Sequence, residues 1–122
     1  MAKTVSSDAI RMSQAEWASI RANPELADLV RIITPKVQAF EPGGEVAPGV
    51  QSQDTAGHTP GHVAYLIADG QNQLLYTGDL MHHPMQCAVP HRDATFDMDK
   101  DAGRASRIGF VDKYRDSGVL VI

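Results

Sequence analysis

The chain has 122 residues, enough for one domain and too few for two. An apolar fraction of 43% is ordinary for a globular protein and excludes a disordered composition. The 11 basic and 15 acidic residues are mixed along the chain and leave a net charge of -4. No basic stripe of the kind that holds nucleic acid is present.

In chain order, the opening MAKTVSSDAIRMSQ has neither an apolar stretch nor a small-residue cleavage site. No apolar run approaches the roughly 20 residues needed to span a bilayer. Cys87 is the only cysteine, so no intrachain disulfide can form. These features lead to the expectation of a cytoplasmic protein that binds neither nucleic acid nor membranes.

Ser13-Gln14-Ala15-Glu16 places a serine three positions before a glutamate, the spacing of a capping box, and predicts a helix over 15–22 with Trp17 in the core. Asn23-Pro24 interrupts it. Leu26, Leu29, Val30, Ile33 and Val37 recur at helical spacing and predict a second helix from Glu25 to about Phe40, with Pro35 able to kink or split it. Residues 1–40 therefore read as helical, and 41–122 as strands plus one helix, within a single partial domain over 1–122.

Pro42-Gly43-Gly44 is a turn, and Val46 and Val50 open a region of short strands. His62–Ile67 and Gln73–Thr77 read as two strands joined through Asp69-Gly70-Gln71-Asn72, a hairpin pattern. A helix is expected from Asp99 to about Asp116, stopped by Ser117-Gly118. Val119-Leu120-Val121-Ile122 has the composition of a buried strand. Ending on a core strand is unusual for a domain, so the sequence reads as a piece of a longer one.

The chemistry concentrates in Gly57-His58-Thr59-Pro60-Gly61-His62 and in Thr77-Gly78-Asp79. Glycine and proline fix a tight loop there and let backbone approach closely. A histidine on such a loop can offer a ring nitrogen to zinc at about 2.0–2.1 Å, and an aspartate after a later strand can add a carboxylate oxygen. The blander alternatives are a loop histidine satisfied by backbone and an aspartate capping a turn. His83, Cys87 and His91 are spaced by four and would align on a helix, but Pro84 and Pro90 argue against a continuous helix there.

The Gly57–His62 loop, the hairpin and Gly78-Asp79 resemble the second half of the metallo-β-lactamase superfamily. Ser13–Trp17, Glu45–Val50, Asp79–Pro84 and Phe96-Asp97-Met98-Asp99 resemble a branch containing N-acyl-homoserine lactonase-like and methyl-parathion-hydrolase-like proteins. The resemblance implies an α/β fold: half of a four-layer αββα sandwich, mostly antiparallel sheet with flanking helices. It implies two zinc ions per complete site, with His58 ligating one and Asp79 bridging both as the catalytic carboxylate. His62 would orient the loop without ligating, and His82 and His83 would line a substrate pocket.

In that family a metal-bound hydroxide hydrolyses lactones, esters or phosphoesters, so a small ester or lactone is the expected substrate. This sequence departs from the pattern. The His-x-His-x-Asp-His signature is absent, and the last histidine ligand would fall beyond Ile122. Two ligands do not make a dinuclear centre, so the chain alone is expected to be inactive. The alternative is a non-catalytic truncated module. In either case half a sandwich exposes an apolar sheet face, and a homo-oligomer is expected.

Overall fold

The computed structural model of the chain describes residues 8–122; the reading of the opening segment rests in part on residues outside that range. A short strand, β1 (Ile10–Ser13), runs directly into helix α1 (Gln14–Ala22). The Ser13 hydroxyl accepts from the Glu16 N–H at 3.1 Å, as the spacing requires of an N-cap. The glutamate does not close the box. Its carboxylate instead accepts from the Gly61 N–H at 3.0 Å, while Ser13 Oγ donates to the Gly61 carbonyl at 2.6 Å. The start of α1 thus grips both backbone groups of one residue 45 positions or more away. A side chain on Gly61 would overlap that grip.

The predicted helix over 25–40 is corrected. Pro24–Leu26 forms a 3-10 turn, α2 covers only Ala27–Ile33, and a second 3-10 turn at Thr34–Lys36 carries Pro35. Proline removes an N–H donor and its ring clashes with the preceding turn, so the helix ends before it. Val37–Phe40 is then released as strand β2, which pairs in parallel with β1 through Ile10↔Val37 to Ser13↔Phe40. The segment up to residue 40 therefore contains two strands as well as helix.

The main sheet has the order β3-β4-β5-β6-β7, from Glu45–Ala47, Val50–Asp54, Val63–Asp69, Asn72–Tyr76 and Leu120–Val121. All neighbours are antiparallel except β6 and β7. The hairpin is tighter than its four-residue reading: Asp69 pairs with Asn72, leaving Gly70-Gln71 as the turn, with Gly70 at φ 60°. Helix α4 (Lys100–Tyr114), capped by Asp99 through the Ala102 N–H at 2.9 Å, covers one face of the sheet. Ala64, Leu75, Leu80 and Phe110 form the core there.

The opposite face carries Val50, Ile67, Leu74, Tyr65 and Tyr76 by alternation and register. It is open. Tyr76 is 49% exposed and Ile67 39%. The expectation of a buried final strand is corrected in the same way: Leu120 and Ile122 are 63% and 58% exposed, because nothing in the described chain lies over them. The architecture is α/β, with a mostly antiparallel five-stranded sheet and flanking helices. Among the described residues no helix is long and apolar enough to cross a membrane.

Candidate metal centre

The loop between β4 and β5 is held from two sides. Below it, Ser13 and Glu16 fix Gly61. Above it, the N-terminal turn of α4 rests on Gly57, whose carbonyl accepts from the Asp99 N–H at 2.9 Å, while the His58 carbonyl accepts from the Met98 N–H at 3.2 Å. Gly57 has φ 146°, and a Cβ there would overlap the Gly103 backbone, so two glycines let loop and helix touch. His58 is thereby suspended between β6's end and the segment that leads into α4.

His58 faces a carboxylate on each side. Its Nδ1 lies 3.3 Å from Asp97 Oδ1, and its Nε2 lies 3.7 Å from Asp79 Oδ2. Asp97 has a fully buried side chain, and its other oxygen accepts from Arg107 Nη1 at 2.8 Å, a guanidinium only 1% exposed. Burial pushes the Asp97 carboxyl up, but the Arg107 hydrogen bond and charge, helped by His58, outweigh it and hold it below its ordinary value. Arg107 also donates to the Pro90 carbonyl at 3.2 Å and approaches Asp93 at 3.4 Å. A histidine tied through one nitrogen to a buried carboxylate, with the other nitrogen aimed at an exposed one, has the orientation of a metal ligand.

His62 sits beneath Asp79. Its Nε2 accepts from the Asp79 N–H at 3.0 Å, which leaves Nδ1 as the protonated nitrogen, 2.8 Å from Thr55 Oγ1 and 3.2 Å from the Thr55 carbonyl. Burial pushes its imidazole below the ordinary value, against the raising influence of the Thr55 carbonyl and Asp79. Both nitrogens are engaged, so His62 braces the Asp79 backbone and has no free lone pair for an ion. Asp79 itself follows Gly78, which has φ 54°, in a 3-10 turn after β6.

His82 comes from the same turn region and reaches the opposite side of His58, with ring centroids 5.0 Å apart and Nε2 3.8 Å from Asp97 Oδ1. Phe96 stands edge-on to both rings, at 6.2 Å from His58 and 4.6 Å from His82. His83 lies with His82 on a separate small pocket, its Nδ1 accepting from the Met85 N–H at 3.1 Å. The short helix α3 (Met85–Ala88) lies between the two prolines, and Cys87 contacts Met81 Sδ at 3.5 Å; no zinc-like grouping of His83, Cys87 and His91 forms.

An open cleft of about 380 Å³ runs from Ser13 and Glu16 past His58, His62 and Asp79 to Tyr65 and Tyr76 on the uncovered sheet face. A larger cavity of about 690 Å³ lies elsewhere, between β4 and α4, and contains none of these histidines. The chemistry favours the smaller one.

Asp97 and Arg107 were not among the residues singled out by sequence. Asp97 stood in the Phe96–Asp99 segment only as part of a resemblance, and Arg107 as one more residue of a helix. A charged pair inside a domain this small is the signal that could have drawn notice, but only the fold shows that the two meet.

The chain superposes on solved structures over nearly its whole length. One is AidC, a dizinc quorum-quenching lactonase in complex with a product, N-hexanoyl-L-homoserine: TM-score 0.79, 25% identity, covering 93% of this chain and 46% of that one. Another is a hydrolase, AbOPH, in the beta lactamase superfamily, at TM-score 0.75 and 21% identity, covering 93% of this chain and 46% of its own. A third is a probable metal-dependent hydrolase from Staphylococcus aureus, at TM-score 0.76 and 17% identity, covering 92% and 42% respectively. No family model and no curated protein matches the chain. It spans less than half the length of each of these structures.

Proposed function

We propose that this chain, one half of the metallo-β-lactamase fold in its lactonase-like branch, furnishes one side of a zinc-dependent hydrolase site. The observation that carries the reading is His58, tied by Nδ1 to the buried Asp97 and directed by Nε2 toward Asp79 at 3.7 Å. Two ligand atoms on one zinc, each about 2.1 Å from the ion, stand about 3.4 Å apart at a tetrahedral angle. The donor set fits. His58 and Asp79 would hold the ion, His62 would brace Asp79 through its backbone, and Asp97 would keep the His58 ring in register. Zinc, when bound, supplies Lewis acidity and makes water acidic enough to react at neutral pH. The chain's own contribution is to aim ligands and, through Phe96 and His82, to pack against the His58 ring.

The substrate class is a small lactone or ester, phosphoesters being the second choice. The solved dizinc lactonase that shares this fold supports the first. The remaining ligands must come from a segment bearing His-x-His-x-Asp-His, so the chain alone has no hydrolytic activity. Mixing it with such a half, prepared from a lactonase of this fold, in the presence of zinc should restore lactone hydrolysis. Asp79→Asn and His58→Ala should each reduce the restored rate by at least about a hundredfold, since each removes a ligand rather than its support. Restored hydrolysis that survives both changes would sink the reading.

A second reading is favoured by the open sheet face, where Tyr76, Ile67, Leu120 and Ile122 are all more than a third exposed. Such a face associates. On this reading two copies pair through it as a non-catalytic module, and gel filtration should give a dimer that Tyr76→Lys with Leu120→Lys converts to monomer. A wild-type chain that elutes as a monomer at high concentration would exclude it.

A further inference from the structure

We propose that His58, His82 and Asp97 form a mononuclear metal site of their own, which this chain can fill without a residue from any other segment. One donor atom of each lies within 4.8 Å of the others. The measured edges are 3.3 Å from His58 Nδ1 to Asp97 Oδ1 and 3.8 Å from His82 Nε2 to the same oxygen. These bracket the spacing of about 3.4 Å set by two ligands on one zinc at a tetrahedral angle. Two imidazoles and one carboxylate are the donor set of a borderline divalent cation such as zinc or cobalt.

The surroundings are those of a held site. Asp97 offers only Oδ1, because Arg107 Nη1 occupies Oδ2 at 2.8 Å, so the carboxylate is fixed in place and confined to one donor oxygen. The His58 and His82 side chains are 23% and 20% exposed, sheltered but reachable. Phe96, itself 59% exposed, stands edge-on to both rings and limits their rotation.

The site differs from the one that would use Asp79, and His58 cannot serve both as a neutral ring. Its imidazole carries one proton. With that proton on Nδ1, shared with Asp97, Nε2 is free for an ion on the Asp79 side. With the proton on Nε2, facing Asp79, Nδ1 is free for an ion beside Asp97 and His82. The chain without a complementary half offers two donors on the first side and three on the second. The three-donor side fills first.

Cobalt titration of the metal-stripped 122-residue chain tests this, through the visible bands that tetrahedral cobalt acquires on binding. The wild type should take up a single cobalt, displaced by zinc. His82→Gln should weaken binding by at least about tenfold, the lower bound seen when even a supporting residue of a metal site is lost. Asp79→Asn should weaken it less than His82→Gln does. His82 lies outside the core, so an unchanged thermal melt for His82→Gln ties any loss to ligation rather than folding. Binding that vanishes with Asp79→Asn but persists with His82→Gln, or a wild type that takes up no cobalt, overturns the proposal. The hydrolytic reading is decided separately, by reconstitution with a complementary half, and does not depend on this result.

Discussion

Replacing Arg107 with methionine will destabilise the fold by about 3–5 kcal/mol, the usual cost of removing one partner from a buried ion pair. The guanidinium is 1% exposed and the Asp97 side chain fully buried, so neither charge is shared with bulk water. Without Arg107 the Asp97 carboxylate keeps only its contacts to the two imidazoles, His58 at 3.3 Å and His82 at 3.8 Å, and the Pro90 carbonyl loses its donor. Domains of this size have net stabilities of about 5–15 kcal/mol, so the change removes a fifth or more of the total. Urea denaturation at neutral pH measures it.

The pH dependence has a definite sign. In the wild type Asp97 is held below its ordinary value of 3.8, so its contribution is present above that value and lost as pH falls below it. In Arg107→Met, burial is no longer opposed by the arginine, the carboxyl rises, and the variant recovers as it protonates. The gap between the two proteins should therefore narrow toward acid. Arg107→Met combined with Asp97→Leu should regain more than half of the loss, because an apolar pair leaves no charge buried. A loss under about 1 kcal/mol for the single variant would mean that water reaches Asp97, and the account of how His58 is held would fail with it.

What sequence could and could not foretell divides along range of interaction. The α1 start, the hairpin, the α4 cap at Asp99 and the loop around His58 are written in neighbouring residues, through capping, turn glycines and period-two alternation. Asp79 is placed by its position after a strand. The pairing of Val37–Phe40 with Ile10–Ser13 is not local, and Val37 also fits the helical period of Leu29, Val30 and Ile33, so tertiary pairing overrides a plausible helix. Glu16 shows the same limit. Its spacing from Ser13 announces a capping box, yet its carboxylate serves Gly61 instead, and that partner is visible only after folding. Asp97 and Arg107 are ten positions apart in a loop and a helix, and neither local pattern requires them to meet. The exposed β7 is a different case. An apolar tetrapeptide predicts burial on both faces, but only the α4 face of this sheet is covered within the described residues.

Gly57→Ala should be nearly as damaging as Arg107→Met, and for a reason that joins backbone geometry to the metal centre. Gly57 sits at φ 146°, a region open to glycine and costing other residues about 1–3 kcal/mol. A methyl group there would also overlap the Gly103 Cα and N, backbone atoms at the start of α4 that cannot rotate aside. Overpacking of this kind costs about 1–3 kcal/mol, so the two together come to about 2–6 kcal/mol. Gly103 cannot yield easily either, because a shift would carry it against Asp97 Oδ2, which already lies 2.9 Å from where its own Cβ would stand. The strain is relieved only if loop and helix part, and parting moves His58 away from Asp97. Gly57→Ala should therefore lose cobalt binding as well as stability, with the His58 ring resonances shifted in the NMR spectrum. Gly109→Ala provides the control: it lies in α4 with nothing within 4 Å of its Cβ position, so it should stabilise the helix by up to about 1 kcal/mol and leave His58 undisturbed. If Gly57→Ala melted like the wild type and kept the His58 shifts, the loop would not rest on α4, and the glycine contact would not be what brings Asp97 to His58.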